Sequence, residues 1–166
     1  MIAIFMEQMP IDDIDLALLA QLQQDTTQSN QALAHKLHIS PPTCLRRVKR
    51  LRERGLIERE IAVLSVDAMA AQIGHGLCAV VEITLDRKDQ AALEAFEQRV
   101  ATHDAVQQCY RVSPGPDFCL VVHVTDMPAY FALSQALFTS DTNVRNVKTF
   151  FSIKRSKFGA QLALPR

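Results

Sequence analysis

The stretch Ser40-Pro-Pro-Thr-Cys-Leu-Arg-Arg-Val-Lys-Arg-Leu-Arg-Glu-Arg54 gathers guanidinium groups at the spacing of a helix face. Arginine is the side chain best shaped to grip a phosphate, or the O6/N7 edge of guanine, through two parallel N–H donors. Between Ser40 and Glu60 stand seven basic residues against three acidic ones. The whole chain, by contrast, balances 18 Lys+Arg with 18 Asp+Glu. A local excess of this kind is the footprint of a nucleic-acid contact, although a solvated cationic helix face would carry the same charge. Cys44, Val48, Leu51 and Gly55 recur on one side, which therefore packs inward. Thr43, Arg46, Arg50 and Arg54 fall mostly opposite, flanked by Arg47 and Lys49. Arg46, Arg47 and Arg50 are the candidate DNA contacts, with Pro42 and Thr43 nearest the base edges. Ser40 is the expected N-cap and a further phosphate candidate. Pro41 suits the first helical position, and Gly55 suits the residue just past the helix end.

No other set of residues supports a reaction. Asp117, Cys119 and His123 alternate along one predicted strand, which spaces their side chains roughly 7 Å apart per step of two. That is too far for a nucleophile–base hydrogen bond. The chain has no phosphate-cradling glycine loop, carboxylate dyad or histidine cluster at metal spacing. Neither an enzyme, a cofactor nor a metal site is expected. Cys44, Cys78, Cys109 and Cys119 lie too far apart in sequence for a zinc pattern and read as buried or inert thiols. A redox pair of Cys109 and Cys119 across a hairpin is the alternative. His35 and His38 read as surface or turn residues, and His123 as a core or interface histidine.

The elements that must position the arginines are short. Asp12 or Asp13 caps a first helix that ends near Gln24, with Ile14, Leu18, Leu19 and Leu22 facing inward. Its acids suit the positive end of the helix dipole. Ser29 caps a second helix carrying Leu33 and Leu37, and His38-Ile39 leads directly to Ser40. Two helices joined by so short a turn form a helix-turn-helix, whose second helix reads base edges from its N-terminal end. Leu56–Leu64 alternates in polarity and is expected to be a strand, a wing or the start of an interdomain connection.

Three motifs carry a family resemblance: Asp12-x-x-Asp15-x-x-x-Leu19, then Ser29-Asn-x-x-Leu-Ala-x-x-Leu37, then Ser40-Pro-x-x-Cys-Leu-Arg-Arg-Val-x-Arg-Leu-x-x-x-Gly-Leu-Ile57. Together they resemble the DNA-binding half of the Lrp/AsnC (feast/famine) transcription regulators. The second half of the chain fits as well. It reads strand Gly76–Leu85, helix Asp89–Ala101, strand Val106–Val112, turn Ser113–Asp117, strand Phe118–Val124, helix Met127–Phe138 and strand Val144–Ile153. Strand-helix-strand-strand-helix-strand is the ferredoxin-like order. Tyr130, Phe131, Ser134 and Leu137 form the expected inner face of the second of these helices. Both faces of the strands Leu77–Leu85 and Phe118–Val124 are apolar at their centres, so a second subunit is expected on the open face.

The fold class is therefore α+β, a winged helix-turn-helix domain followed by a ferredoxin-like βαββαβ effector and oligomerisation domain. The expected boundaries are 1–64, a linker at 65–75, and 76–166. The resemblance implies an effector domain that dimerises sheet to sheet, an octamer as the larger assembly, and a free amino acid bound at the hairpin between dimers. Relatives carry Gly-Asp and a second acid in that hairpin. Here the pair reads Pro114-Gly115, Asp117 matches the second acid, and Ser113 the preceding serine. Arg111, Ser113, Gly115, Asp117, Phe118 and Phe150 are the candidate effector contacts, with Ser140, Asp141 and Thr142 reaching in from an adjacent dimer. Leucine or methionine is favoured as effector, with Phe118 and Phe150 as an apolar wall. A rigid proline turn without a ligand is the plain reading of the same residues. The absence of any long apolar stretch or secretory pattern leads to an expected cytoplasmic location. The alternative function is a ferredoxin-like small-molecule sensor or enzyme whose N-terminal helices mediate protein contacts.

Overall fold

The computed structural model describes residues 10–73 and 76–165. The expectations of an N-terminal arm and of later starts at Met6 or Met9 lie outside the described residues. The chain falls into two units: one runs through Val63 and takes in the segment from Lys157 onward, and the other is Leu64–Ser156.

The first unit is built on α1 (Asp13–Leu22), α2 (Asn30–Lys36) and α3 (Pro41–Glu53). Each start is capped by a side chain that accepts a first-turn N–H: Asp12 from Asp15, Ser29 from Ala32, and Ser40 from Thr43. Two of the ends share one design. The N–H of Ile39 bonds the Ala34 carbonyl at 3.0 Å, and that of His38 bonds His35 at 3.3 Å. In the same way Leu56 N–H reaches Leu51 O at 3.1 Å and Gly55 N–H reaches Arg52 O at 2.9 Å. These are Schellman endings, which place one residue in the left-handed region. Gly55 takes it with φ of 69° and His38 with φ of 52°. Leu18, Leu22, Leu33, Cys44, Val48 and Leu51 form the core as their periodicity predicts, joined by Ala34, while Ile14, Leu19 and Leu37 are only partly buried against it.

Leu56–Leu64 differs from expectation. It forms no β-ladder among the described residues, and Ile61, Val63 and Leu64 are exposed. Alternation specifies a face but not a partner, and no strand is placed beside it. The final segment also differs from expectation: it joins the helices rather than the sheet. Gln23 donates from Nε2 to the Leu162 carbonyl and accepts from the Leu162 N–H, each at 2.9 Å.

The second unit contains α4 (Val66–Ile73), β1 (Leu77–Leu85), α5 (Gln90–Ala101), β2 (Val106–Arg111), β3 (Phe118–Val124), α6 (Met127–Ser134) with a π-helical turn at Gln135–Thr139, and β4 (Val144–Phe151). The antiparallel strands run in the order β2-β3-β1-β4. Ala79, Val81, Ile83 and Leu85 of β1 and Phe118, Leu120 and Val122 of β3 are buried, packed with Phe96, Val100, Tyr130, Leu133, Leu137 and Phe138. Phe96 stacks on Phe118 with ring centroids 4.7 Å apart.

The inner face of α6 is Tyr130 and Leu133, while Phe131 is exposed. Spacing alone favours Phe131 as an inner residue, and the structure turns it outward. The helix then widens, and the π turn buries the consecutive residues Leu137 and Phe138. Cys109 pairs with Leu120, and Cys119 with Tyr110. Opposed neighbours share a face, so the two thiols lie on opposite faces and the redox pairing fails. All four cysteines are free.

Candidate functional site

The recognition helix α3 is fastened to α1 by charge. Asp15 is fully buried, and both of its oxygens are taken: Oδ1 by Arg47 Nη1 at 2.8 Å, and Oδ2 by Arg50 Nη2. Arg47 Nη1 also meets Asp12 Oδ2 at 2.7 Å. The hydrogen bonds to Asp12 and then Asp15 hold the Arg47 guanidinium above its ordinary pKa, against its own partial burial. For Asp12, burial pushes the pKa up, but the Asp15 N–H and Arg47 outweigh it and the net shift is down. The side chains of Arg47 and Arg50 are only 17% and 12% exposed. Arg50 therefore does not stand free opposite the core, as the sequence suggests, and its removal would leave Asp15 short of a partner. Periodicity offered a signal that was missed. Asp15 precedes Leu18 and Leu22 by three and seven residues, which puts a carboxylate in the buried stripe.

The outer face of α3 carries Pro42, Leu45, Arg46 and Lys49, all exposed. Leu45, absent from the expected set, is 59% exposed. At the helix start the Ser40 and Thr43 hydroxyls hydrogen-bond at 2.8 Å, and Asn30 Nδ2 donates to the Pro41 carbonyl at 2.8 Å. These contacts lock the end of the helix that a groove would meet first. Arg52 is paired with Glu60 at 2.6 Å, and Lys49 with Glu53 at 3.6 Å.

The hairpin between β2 and β3 is anchored by Asp117. Its Oδ2 accepts from the Leu85 N–H at 2.8 Å, and its Oδ1 faces Lys88 Nζ at 2.9 Å. Burial raises the Asp117 pKa, but the Lys88 contact, the Leu85 N–H and the field of Arg145 together bring it below the usual carboxylate range. Gly115, at φ of 124°, and a cis Ser113–Pro114 peptide form the turn. Leu85 also pairs with Val144, and the Asp86 N–H bonds the Asn143 carbonyl at 2.9 Å. The end of β1 thus holds the hairpin and the Ser140–Asn143 loop at one end of the sheet.

The other expected effector residues are spread out. Arg111 grips Glu97 through Nε at 2.9 Å and Nη2 at 2.8 Å. Asp141 pairs with Arg99, Ser140 donates to the Ala136 carbonyl at 2.7 Å, and Thr142 is exposed. Phe118 is fully buried against Phe96 and is core, not a ligand wall. Phe150 opposes Val80, well along β1 from Leu85, and is exposed on the open face. A depression of about 290 Å³ is lined by Arg87, Phe96, Arg99, Asp141 and Asn143 among others. Among the described residues no helix is long and apolar enough to cross a membrane.

Residues 11–58 match a winged helix-turn-helix DNA-binding domain and residues 78–162 the Lrp/AsnC ligand binding domain. The chain is 32% identical to the leucine-responsive regulatory protein of Escherichia coli strain K12 over 154 residues, which is 93% of this chain and 92% of the relative. It is 31% identical, also over 154 residues, to an uncharacterized HTH-type transcriptional regulator of Haemophilus influenzae, covering 93% and 89% of the two chains. A Neisseria meningitidis transcriptional regulator solved as an L-Met complex superposes with a TM-score of 0.80 at 27% identity, over 93% of this chain and 97% of that one. These relatives are regulators rather than enzymes. With both halves of its architecture matched in order, the chain belongs to the Lrp/AsnC family of DNA-binding transcription regulators.

Proposed function

We propose that this regulator reads duplex DNA with the exposed face of α3 and responds to a free amino acid, leucine or methionine. The observation that carries the DNA reading is the start of α3. There Ser40, Pro42 and Arg46 are exposed, with Thr43 half-buried beside them, on a helix that the Asp15 ion pairs hold in place. Arg46 is the leading base or phosphate contact. Arg47 and Arg50, expected from the sequence to join it, are turned toward α1. Arg46→Ala removes no core contact and should leave thermal unfolding unchanged. If Arg46 meets a base edge, DNA affinity falls by roughly 1–3 kcal/mol and selectivity relaxes at one position. If it meets a phosphate, all sequences weaken alike and the salt slope falls by about 0.9. Unchanged affinity in titrations of a selected duplex would mean that the docking face is wrong.

The effector reading draws support from the leucine-responsive regulators and the L-Met complex among the relatives. It is also supported by the hairpin that Asp117 fixes beside the Ser140–Asn143 loop. A homodimer is supported by the open face of the sheet, and further assembly to an octamer is what the family resemblance implies. Val80 and Phe150 are exposed there, opposite one another, and Val121 pairs with Val80.

A further inference from the structure

We infer that Asp12 and Asp15 set how strongly α3 holds DNA of any sequence, by keeping Arg47 and Arg50 off the phosphate backbone. This rests on α3 being the DNA-reading helix. Phosphate contacts supply affinity without sequence information, and base-edge contacts supply the discrimination. A helix this basic would hold any duplex if all its cations were available. The structure makes two of them unavailable. Nη1 of Arg47 is spent on Asp12 and Asp15 at 2.7–2.8 Å, and Nη2 of Arg50 on Asp15. The side chains of Arg47 and Arg50 are largely buried, so each guanidinium lies against its acid rather than in solvent.

The difference from the other ion pairs on α3 is burial. Arg52–Glu60 and Lys49–Glu53 are exposed on both sides, so a phosphate can replace the acid at little cost. Asp15 is fully buried. Swinging Arg47 and Arg50 to DNA would strand its charge where water does not reach, a cost that a solvated phosphate contact does not offset. Arg46, exposed and without an ion-pair partner among the described residues, is left to probe the duplex.

The test is salt-dependent binding of the full chain to a duplex selected from a random library and to a non-cognate duplex of equal length. In wild type, Arg47→Gln should leave the salt slope on non-cognate DNA unchanged. A fall of about 0.9 would show that Arg47 already neutralises a phosphate, and would overturn the proposal. Asp12→Asn/Asp15→Asn should free both arginines and steepen that slope by up to about 1.8. Lowering salt from about 200 to about 50 mM would then raise non-cognate affinity about twelvefold more than in wild type, and affinity for the selected duplex should rise alongside it, because a phosphate contact carries no sequence information. Should the double variant melt below the assay temperature, Asp12→Asn alone removes only the half-exposed partner of Arg47. It should still steepen the slope by a fraction of one. An unchanged slope in a variant that melts like wild type sinks the clamp. A chain that binds neither duplex at low salt sinks the α3 reading itself.

Discussion

His38 closes α2 with φ of 52°, a conformation that costs a residue with a Cβ roughly 1–2 kcal/mol and costs glycine little. Gly55 fills the same place after α3. His38→Gly should therefore stabilise the helical unit by about 0.5–1 kcal/mol, part of the relief being offset by the freer unfolded chain. A rise in urea midpoint at unchanged slope is the readout, and a fall would mean that the His38 ring holds more than the structure shows. Asp15 is the opposite case. Asp15→Ala removes the shared partner of two largely buried guanidinium groups and should cost about 3–5 kcal/mol. Replacing all three charges with apolar residues of similar size should recover much of that loss. If thermal melts show Asp15→Ala within 1 kcal/mol of wild type, the clamp is weaker than its burial implies. The leucine stripes of α1 and α2 were legible because periodicity is local. The partners of Asp15 were not, because they lie 32 and 35 residues along the chain.

Among the elements, β1 and β3 came through with little change, since a period of two over Leu77–Leu85 and Phe118–Val124 has few other solutions. The helix after them did not. Its aromatic residues fit two faces, and the burial of both Leu137 and Phe138 needs the π turn that no α-period encodes. The hairpin was legible as a proline-rich turn, but not as a clip on β1. That role has a pH signature. The Asp117 carboxyl is held below its usual value of 3.8 in the folded state. Its contribution is present above the unfolded pKa, near 3.8, and is lost as pH falls through the lower folded value. Asp12, Asp25 and Asp89 shift in the same direction. The melting temperature should thus be level above that pH and decline below it. Asp117→Asn should be less stable on the plateau, with a shallower acid decline. Parallel wild-type and variant profiles below pH 4 would remove Asp117 from the account.

At the scale of the whole molecule, the ligand must find its charges among groups already engaged within the chain. Asp117 holds Lys88 and the Leu85 N–H, and its own N–H bonds the Ile83 carbonyl at 2.8 Å. Pro114 and Pro116 have no N–H. The turn is left with Ser113 and Gly115 as backbone donors for a carboxylate, and Gly115 lacks the Cβ that would hinder close approach. An ammonium group can join Lys88 at Asp117 only by sharing it, which favours a ligand with one cationic group and an apolar side chain. With Phe118 sealed in the core, the proposed site would draw its apolar wall from another copy, and binding would then be coupled to assembly. A ligand that contacts two copies shifts assembly by its difference in affinity between the assembly states. Val121→Asp, on the open face beside Val80, should leave the fold intact by circular dichroism and give a monomer in sedimentation. The monomer should then bind leucine or methionine at least tenfold more weakly by calorimetry, whereas wild type binds one of them at millimolar concentration or below and sediments differently when it is added. Asp117→Ala should lose the binding in the assembled protein. If Val121→Asp is monomeric yet binds as tightly as wild type, the site is complete within one chain and the coupling is wrong. If no amino acid binds wild type at millimolar concentration, the effector class is wrong.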